Sequence, residues 1–188
     1  KITKMYSAEG ECVPLVEHLY PKGGVEYWLY LVEEAMKTTI RVTMGKSLVN
    51  LTQIDRNKWV LSWPGQIVIA GSQIYWTAHV EEAIIENTLP NYIQLILGQL
   101  DGLRTLVKGP LKRVERQILS ALIVIEVHAR DVTQQIFENK VKNVNDFDWI
   151  SQLRYYWVND SDLKVRKFIK KHVALFFQLI PCSNGINI

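Results

Sequence analysis

The sequence predicts a mainly α fold: an antiparallel helical bundle with short loops and a short strand pair near the N-terminus. Three observations carry that expectation. Apolar residues return every three or four positions through successive long stretches, the spacing that gathers side chains on one helix face. The connections are short and marked by Pro, Gly, Asn and Asp, which favours antiparallel neighbours. No internal repeat, low-complexity tract or sustained heptad series points to a solenoid or a coiled coil.

In chain order, Lys1 to Gly24 is of mixed polarity and punctuated by Gly10, Pro14, Pro21, Gly23 and Gly24, so it reads as an extended opening segment suited to the strand pair. From Val25 the series Trp28, Leu29, Val32, Met36, Ile40 and Met44 predicts the first long helix, with Glu33 and Lys37 as an i,i+4 ion pair on its outer side. Asn50 to Lys58 is polar, and Asp55 is placed to cap a short helix carrying Trp59, Val60 and Trp63. Pro64 suits the first turn of the next helix, which Ile67, Ala70, Ile74, Ala78 and Val80 or Glu81 continue to about Asn87. Pro90 restarts the pattern as Ile93, Ile96 or Leu97, Leu100, Leu103 and Val107, closing at Lys108, Gly109 and Pro110.

Pro110 to Val141 predicts a long amphipathic helix, with Leu111, Val114, Ile118, Leu122, Ile125, Ala129, Val132 and Ile136 on one face. Between Ala121 and Val127 the apolar residues spread around the whole circumference, so this helix is expected to be the buried centre, with Ile125 deepest. The β-branched run Ile123, Val124, Ile125 and Val127 would also suit a buried strand, but the flanking periodicity exceeds strand length. After a polar break at Asn143 to Asp146, Asp146 is expected to cap a helix through FDWISQLRYYW, with Phe147, Ile150, Leu153 or Arg154, and Trp157 on one face. A turn at Asn159, Asp160 and Ser161 precedes KVRKFIKKHVALFFQLIP, read as a helix with a basic front and an apolar back half.

The 188 residues, 48% of them apolar and six of them Trp, suffice for a real core. No apolar run approaches the ~20 residues of a membrane span, so a soluble protein with no membrane partner is expected. A net charge of +3, with no nucleic-acid motif interleaved, predicts no nucleic-acid partner. Cys12 and Cys182 lack metal-ligand spacing and allow at most one disulfide, which predicts a reducing, cytoplasmic setting and no metal. The first residue is Lys1 and no leader is visible, so the chain reads as a piece of something longer.

No catalytic, cofactor-binding or metal site is expected. Gly45, Lys46 and Ser47 end like a phosphate loop, but Ile40 stands where that loop needs its first glycine, and the residues continue a helix. Glu126, His128, Arg130 and Asp131 have the dress of acid-base chemistry, with His128 near Asp131 and Glu126 near Arg130 on a helix. They lack a nucleophile, Ser120 being two turns away, and read as a polar cluster bracing neighbouring helices. Asn50-Leu51-Thr52 and Asn159-Asp160-Ser161 match the glycosylation pattern by chance. Lys164, Arg166, Lys167, Lys170 and Lys171 read as a solvated face.

In order and spacing, MYSAEGECVPL, VEYWLYLVEEAM, WVLSWPGQIVIAGSQIYWT, LIVIEVHARDV and FDWISQLRYYW resemble the dynein heavy chains, most closely the axonemal class. The resemblance covers about residues 1 to 167, and WPGQ, EVHARDV and WISQLRYYW are its most specific parts. It implies the C-terminal part of the linker, a stack of helical bundles arching over a ring of AAA+ modules. The linker does no chemistry, although the parent motor is an ATPase, and it needs no cofactor of its own. Its bending converts nucleotide turnover in the ring into movement along microtubules. The implied partners are the AAA+ ring of the same heavy chain and other dynein subunits, with microtubules met only indirectly; the implied place is the cytoplasm, in the cytoskeleton of the ciliary axoneme. Residues 168–188 depart from the family, whose chains continue here into the first AAA+ module. A stand-alone helical interaction module, binding through the aromatic 147–157 face or the apolar tail, is the alternative.

Overall fold

The computed structural model describes residues 1–158 and 162–166. Its elements run β1 (Ile2–Tyr6), β2 (Cys12–Leu19), α1 (Val25–Leu51), α2 (Arg56–Ser62), α3 (Gly65–Glu86), α4 (Leu89–Val107), α5 (Arg113–Glu138), α6 (Phe147–Ile150), β3 (Arg154–Val158) and β4 (Asp162–Arg166). The fold is mainly α, as expected, and the opening segment is indeed an antiparallel hairpin, with Tyr6 opposite Cys12. Gly10 takes a left-handed φ of +93° in its turn, a conformation that a side chain would strain.

The local signals work through ordinary chemistry. Lys37 lies 2.7 Å from Glu33 on α1. Asp55 caps α2 by accepting the backbone N–H of Asn57 at 2.9 Å. Pro64 sits one residue ahead of α3 rather than inside it, and Asn87 ends that helix in a left-handed conformation with φ 55°. Pro90 lies in the first turn of α4, where its missing N–H costs nothing.

The buried centre is α3 rather than α5. Thirteen α3 residues are buried against seven on α5, and Val124 of α5 is 69% exposed. Ile125 is only half-buried. At about 100° per residue a run such as Ile123, Val124 and Ile125 cannot keep every side chain inward. The buried stripe is Leu119, Leu122, Glu126, Ala129, Val132, Thr133 and Ile136, so Glu126 holds the place that an apolar reading gives to Ile125. The helix also begins at Arg113, past Pro110 and Leu111, with the Lys112 N–H accepted by Glu115 at 2.9 Å.

A second correction concerns the aromatic stretch. Only one turn of FDWISQLRYYW is helical, and Arg154–Val158 pairs antiparallel with Asp162–Arg166 in a second hairpin. Tyr155, Tyr156, Trp157 and Val158 are all aromatic or β-branched, and strand alternation sends Tyr155 and Trp157 to one side and Tyr156 to the other. Asp146 turns its carboxylate back onto the N–H groups of Lys142 and Asn143, at 3.3 and 3.2 Å, and makes no side-chain cap to α6. Lys164 and Arg166 are, with Asp162, the outward residues of β4, not the front of a helix. The turn expected at residues 159–161 and the apolar stretch within 167–188 lie outside the described residues.

Three apolar clusters fill the bundle. Trp76, Val80, Ile84, Ile96, Val132, Ile136 and Trp149 form one; Trp59, Val60, Val68, Leu103, Leu119 and Leu122 another. The third, Met44, Ile67, Ala70 and Ile74, is roofed by Tyr155, Trp157 and Leu163 of the second hairpin. Gly71 is needed where α3 meets Trp59, since a Cβ there would stand 3.0 Å from the indole.

Candidate functional site

Gly45, Lys46 and Ser47 lie inside α1: Lys46 is exposed, and the buried Ser47 hydroxyl donates to the Met44 carbonyl at 3.0 Å. Gly45 faces Trp157, which a Cβ would meet at 3.7 Å. This is packing between a helix and a hairpin, not a loop wrapped around phosphate. Asn50 accepts from the Trp63 indole at 3.1 Å, and Thr52 donates to the Val49 carbonyl at 2.7 Å. Asn159, Asp160, Ser161, Lys167, Lys170 and Lys171 lie outside the described residues.

The charged quartet on α5 separates. His128 is exposed, Asp131 pairs with its neighbour Arg130 at 2.6 Å, and Glu126 turns inward to a partner on another helix. That partner is Arg56 of α2, whose Nη2 donates both to the Glu126 carboxylate and, at 3.3 Å, to the Ser72 hydroxyl of α3. Three helices therefore meet at one guanidinium. The Glu126 side chain is 7% exposed and that of Arg56 18%. Burial pushes the Glu126 carboxyl above its ordinary range, and the Arg56 guanidinium pulls it back only in part. A cleft of about 220 Å³ opens beside the pair, lined by Tyr75, His79, Tyr92 and Gln99 among others. His79 stands edge-on between Tyr75 and Tyr92, with ring centroids 5.7 and 5.6 Å away. Burial raises the Tyr92 hydroxyl strongly, so this phenol stays protonated. An ion pair edged by aromatic rings ties α2 to α5, and the Ser72 hydroxyl of α3 beside it accepts from the same guanidinium.

A second polar node lies further along α3. Glu81 Oε1 accepts from the Tyr156 hydroxyl at 2.5 Å and from the Trp149 indole at 3.1 Å, and Arg154 Nη1 lies 3.7 Å away. One turn earlier, Thr77 accepts the Tyr155 backbone N–H at 3.0 Å. Trp149, wholly buried, packs edge-on against Trp76 with centroids 5.3 Å apart, and Trp76 donates to Thr133 of α5 at 3.0 Å. Burial and the Glu81 carboxylate together push the Tyr156 hydroxyl up to about 12. Trp149 is thus wholly buried and Tyr155, Tyr156 and Trp157 are half-buried against the bundle, while Phe147 and Leu153 are the outward large apolar residues of this stretch.

Reasoning from sequence missed Arg56, Ser72 and Glu81 as a set. Glu81 offers a signal, since it falls where the apolar series of α3 reads Val80 or Glu81, and a carboxylate on a buried stripe needs donors. Arg56 offers none, because its partner is 70 residues away. Among the described residues no group of three or more His, Cys, Asp or Glu could hold a metal, and no helix is long and apolar enough to cross a membrane.

Across 167 residues, 88% of this chain, the sequence is 48% identical to dynein axonemal heavy chain 1 of Homo sapiens. The chain belongs to the axonemal dynein heavy chains. It is 45% identical over 161 residues to dynein axonemal heavy chain 3 of Homo sapiens and 40% identical over 161 residues to dynein axonemal heavy chain 12 of Mus musculus, alignments that cover 84% and 83% of this chain. No family model matches the chain. The chain spans 4% of the length of the first two of these dyneins and 5% of the third, so it corresponds to one short segment of a heavy chain. The axonemal relatives imply a cytoskeletal location, in the ciliary axoneme.

Proposed function

We propose that this dynein segment is the C-terminal part of the linker and works as a stiff, non-catalytic mechanical element. In this reading residues 1–167 belong to that part, and 168–188 are a divergent sequence in place of the start of the AAA+ region. The observation that carries the reading is the Arg56 node: the most chemically suggestive group in the sequence, Glu126, serves to tie α5 to α2 and α3. A buried, neutralised cross-brace resists bending and shear, because loosening it would leave charges unpaired away from water. The Glu81 node holds the second hairpin on α3 at the edge of that braced bundle. The placement of Gly45, Lys46 and Ser47 within α1 supports a segment that handles no nucleotide itself.

In this reading the segment's partners are the AAA+ ring of the same heavy chain and, in the assembled complex, other dynein subunits. ATP is hydrolysed in the ring, the segment passes the resulting shape change onward, and microtubules are met only through the motor's other parts. The test is to add the segment in trans to a dynein ring from which the corresponding residues have been deleted, and to follow binding with nucleotide varied. Saturable binding whose strength depends on the nucleotide is expected. Absence of binding in every nucleotide state would overturn the proposal.

A further inference from the structure

We propose that the β3–β4 hairpin is a latch, held on α3 by Glu81 and able to release as a unit, about a hinge at residues 151–153, while the α1–α5 bundle stays folded. The latch rests on geometry alone; only its use, to let this hairpin shift against the bundle as the segment works, rests on the linker reading.

Two α3 side chains one turn apart make the catch. Glu81 gathers Tyr156 and Trp149, with Arg154 beside them, while Thr77 takes the Tyr155 backbone N–H. Arg154 also donates to the Tyr156 hydroxyl at 3.0 Å, and its charge lies 5.9 Å above the Trp149 ring and 5.8 Å above the Tyr156 ring. One carboxylate therefore sets the register of the strand against the helix. Its removal would leave a buried guanidinium without its counter-charge.

The remaining attachments are weak. Every residue of β3 is half-buried, and β4 alternates exposed with half-buried residues, whereas α3 buries most of its length. Tyr155, Trp157 and Leu163 roof an apolar cluster without being enclosed by it. The Arg41–Asp162 pair, at 3.6 Å, has both side chains more than half exposed and is screened by solvent. Arg154 Nε is buried without a partner among the described residues, a cost that opening would relieve. An element with few enclosed contacts opens before the global transition. Trp149 differs, because it is wholly buried among Trp76, Val80 and Ile136, so it stays with the bundle and pins the hinge.

The experiment is hydrogen–deuterium exchange on the whole 188-residue chain, comparing the parent with Glu81→Gln. Loss of a hydrogen bond to a charged group should speed exchange about ten-fold across 154–158 and 162–166, with α4 and α5 unchanged. A uniform rise across the bundle would make Glu81 a general stabiliser, and an unchanged hairpin would make it dispensable; either overturns the latch. Should Glu81→Gln fail to fold, Tyr156→Phe keeps the carboxylate and the ring and removes one donor. Faster exchange confined to the hairpin is expected there too, and a uniform or absent change overturns the proposal.

Discussion

Replacing the two members of the buried ion pair, singly and together, separates a brace from an incidental contact. With Glu126 and Arg56 side chains 7% and 18% exposed, removing one leaves the other charged in a poorly hydrated place. Breaking such a pair costs about 3–5 kcal/mol where the charged state is favoured, but burial already works against the Glu126 carboxylate and the cleft beside Arg56 admits some rehydration, so about 1–2 kcal/mol is expected for Glu126→Leu. Arg56→Met should cost a similar amount, because Glu126 can escape only by taking up a proton. For a chain of this size each kcal/mol moves the melting temperature by ~2–4 °C, so each single variant should melt about 2–8 °C lower. The double variant has neither charge and fills similar volume, and should return to within about 1 kcal/mol of the parent. Thermal melts followed by circular dichroism give all four corners of the cycle. Single variants that melt like the parent, or additive losses in the double variant, would refute the brace.

Other outcomes follow from burial and charge. Leu122→Asp, at a fully buried position, should abolish the cooperative melt, since an unpaired buried carboxylate costs several kcal/mol, while Val124→Asp, 69% exposed, should stay within about 0.5 kcal/mol. Ile125→Asp, half-buried, should fall between them; the reverse order would restore α5 as the centre. Glu126 has its folded value raised above the unfolded one, so its contribution to stability is fully present below the unfolded value and is lost as pH rises through the folded value. A carbon-detected NMR titration should place its midpoint above the ordinary carboxyl range, and a depressed midpoint would contradict the dominance of burial. Titration calorimetry with Mg-ATP should give no saturable binding tighter than about millimolar, and such binding lost on Lys46→Ala would contradict the helical role of Gly45, Lys46 and Ser47.

Much of the bundle is legible from local chemistry. Asp55, Asn87 and Pro90 mark helix ends through groups within a few residues, and the Glu33–Lys37 pair needs only helical spacing. What fails to be legible is set by distant partners. Periodicity counts apolar residues, so it passes over Glu126 and assigns the depth to Ile125, because the guanidinium that makes a buried carboxylate tolerable comes from α2. The same limit hides β3: Phe147, Ile150, Leu153 or Arg154, and Trp157 fall on one helical face as readily as on a turn and a strand. Strand pairing and the donors aimed at Glu81 decide between them. Of the chemically suggestive residues, His128 and Asp131 go to the surface and Glu126 alone enters the core.

The central claim, that this segment transmits force without doing chemistry, is tested most directly in a full-length axonemal heavy chain carrying Arg56→Met. ATP turnover and microtubule gliding are measured on the same preparation. A loosened mechanical element should leave turnover near the parent rate and slow gliding several-fold. Gliding at the parent speed with normal turnover would contradict the claim, and so would loss of turnover in step with gliding.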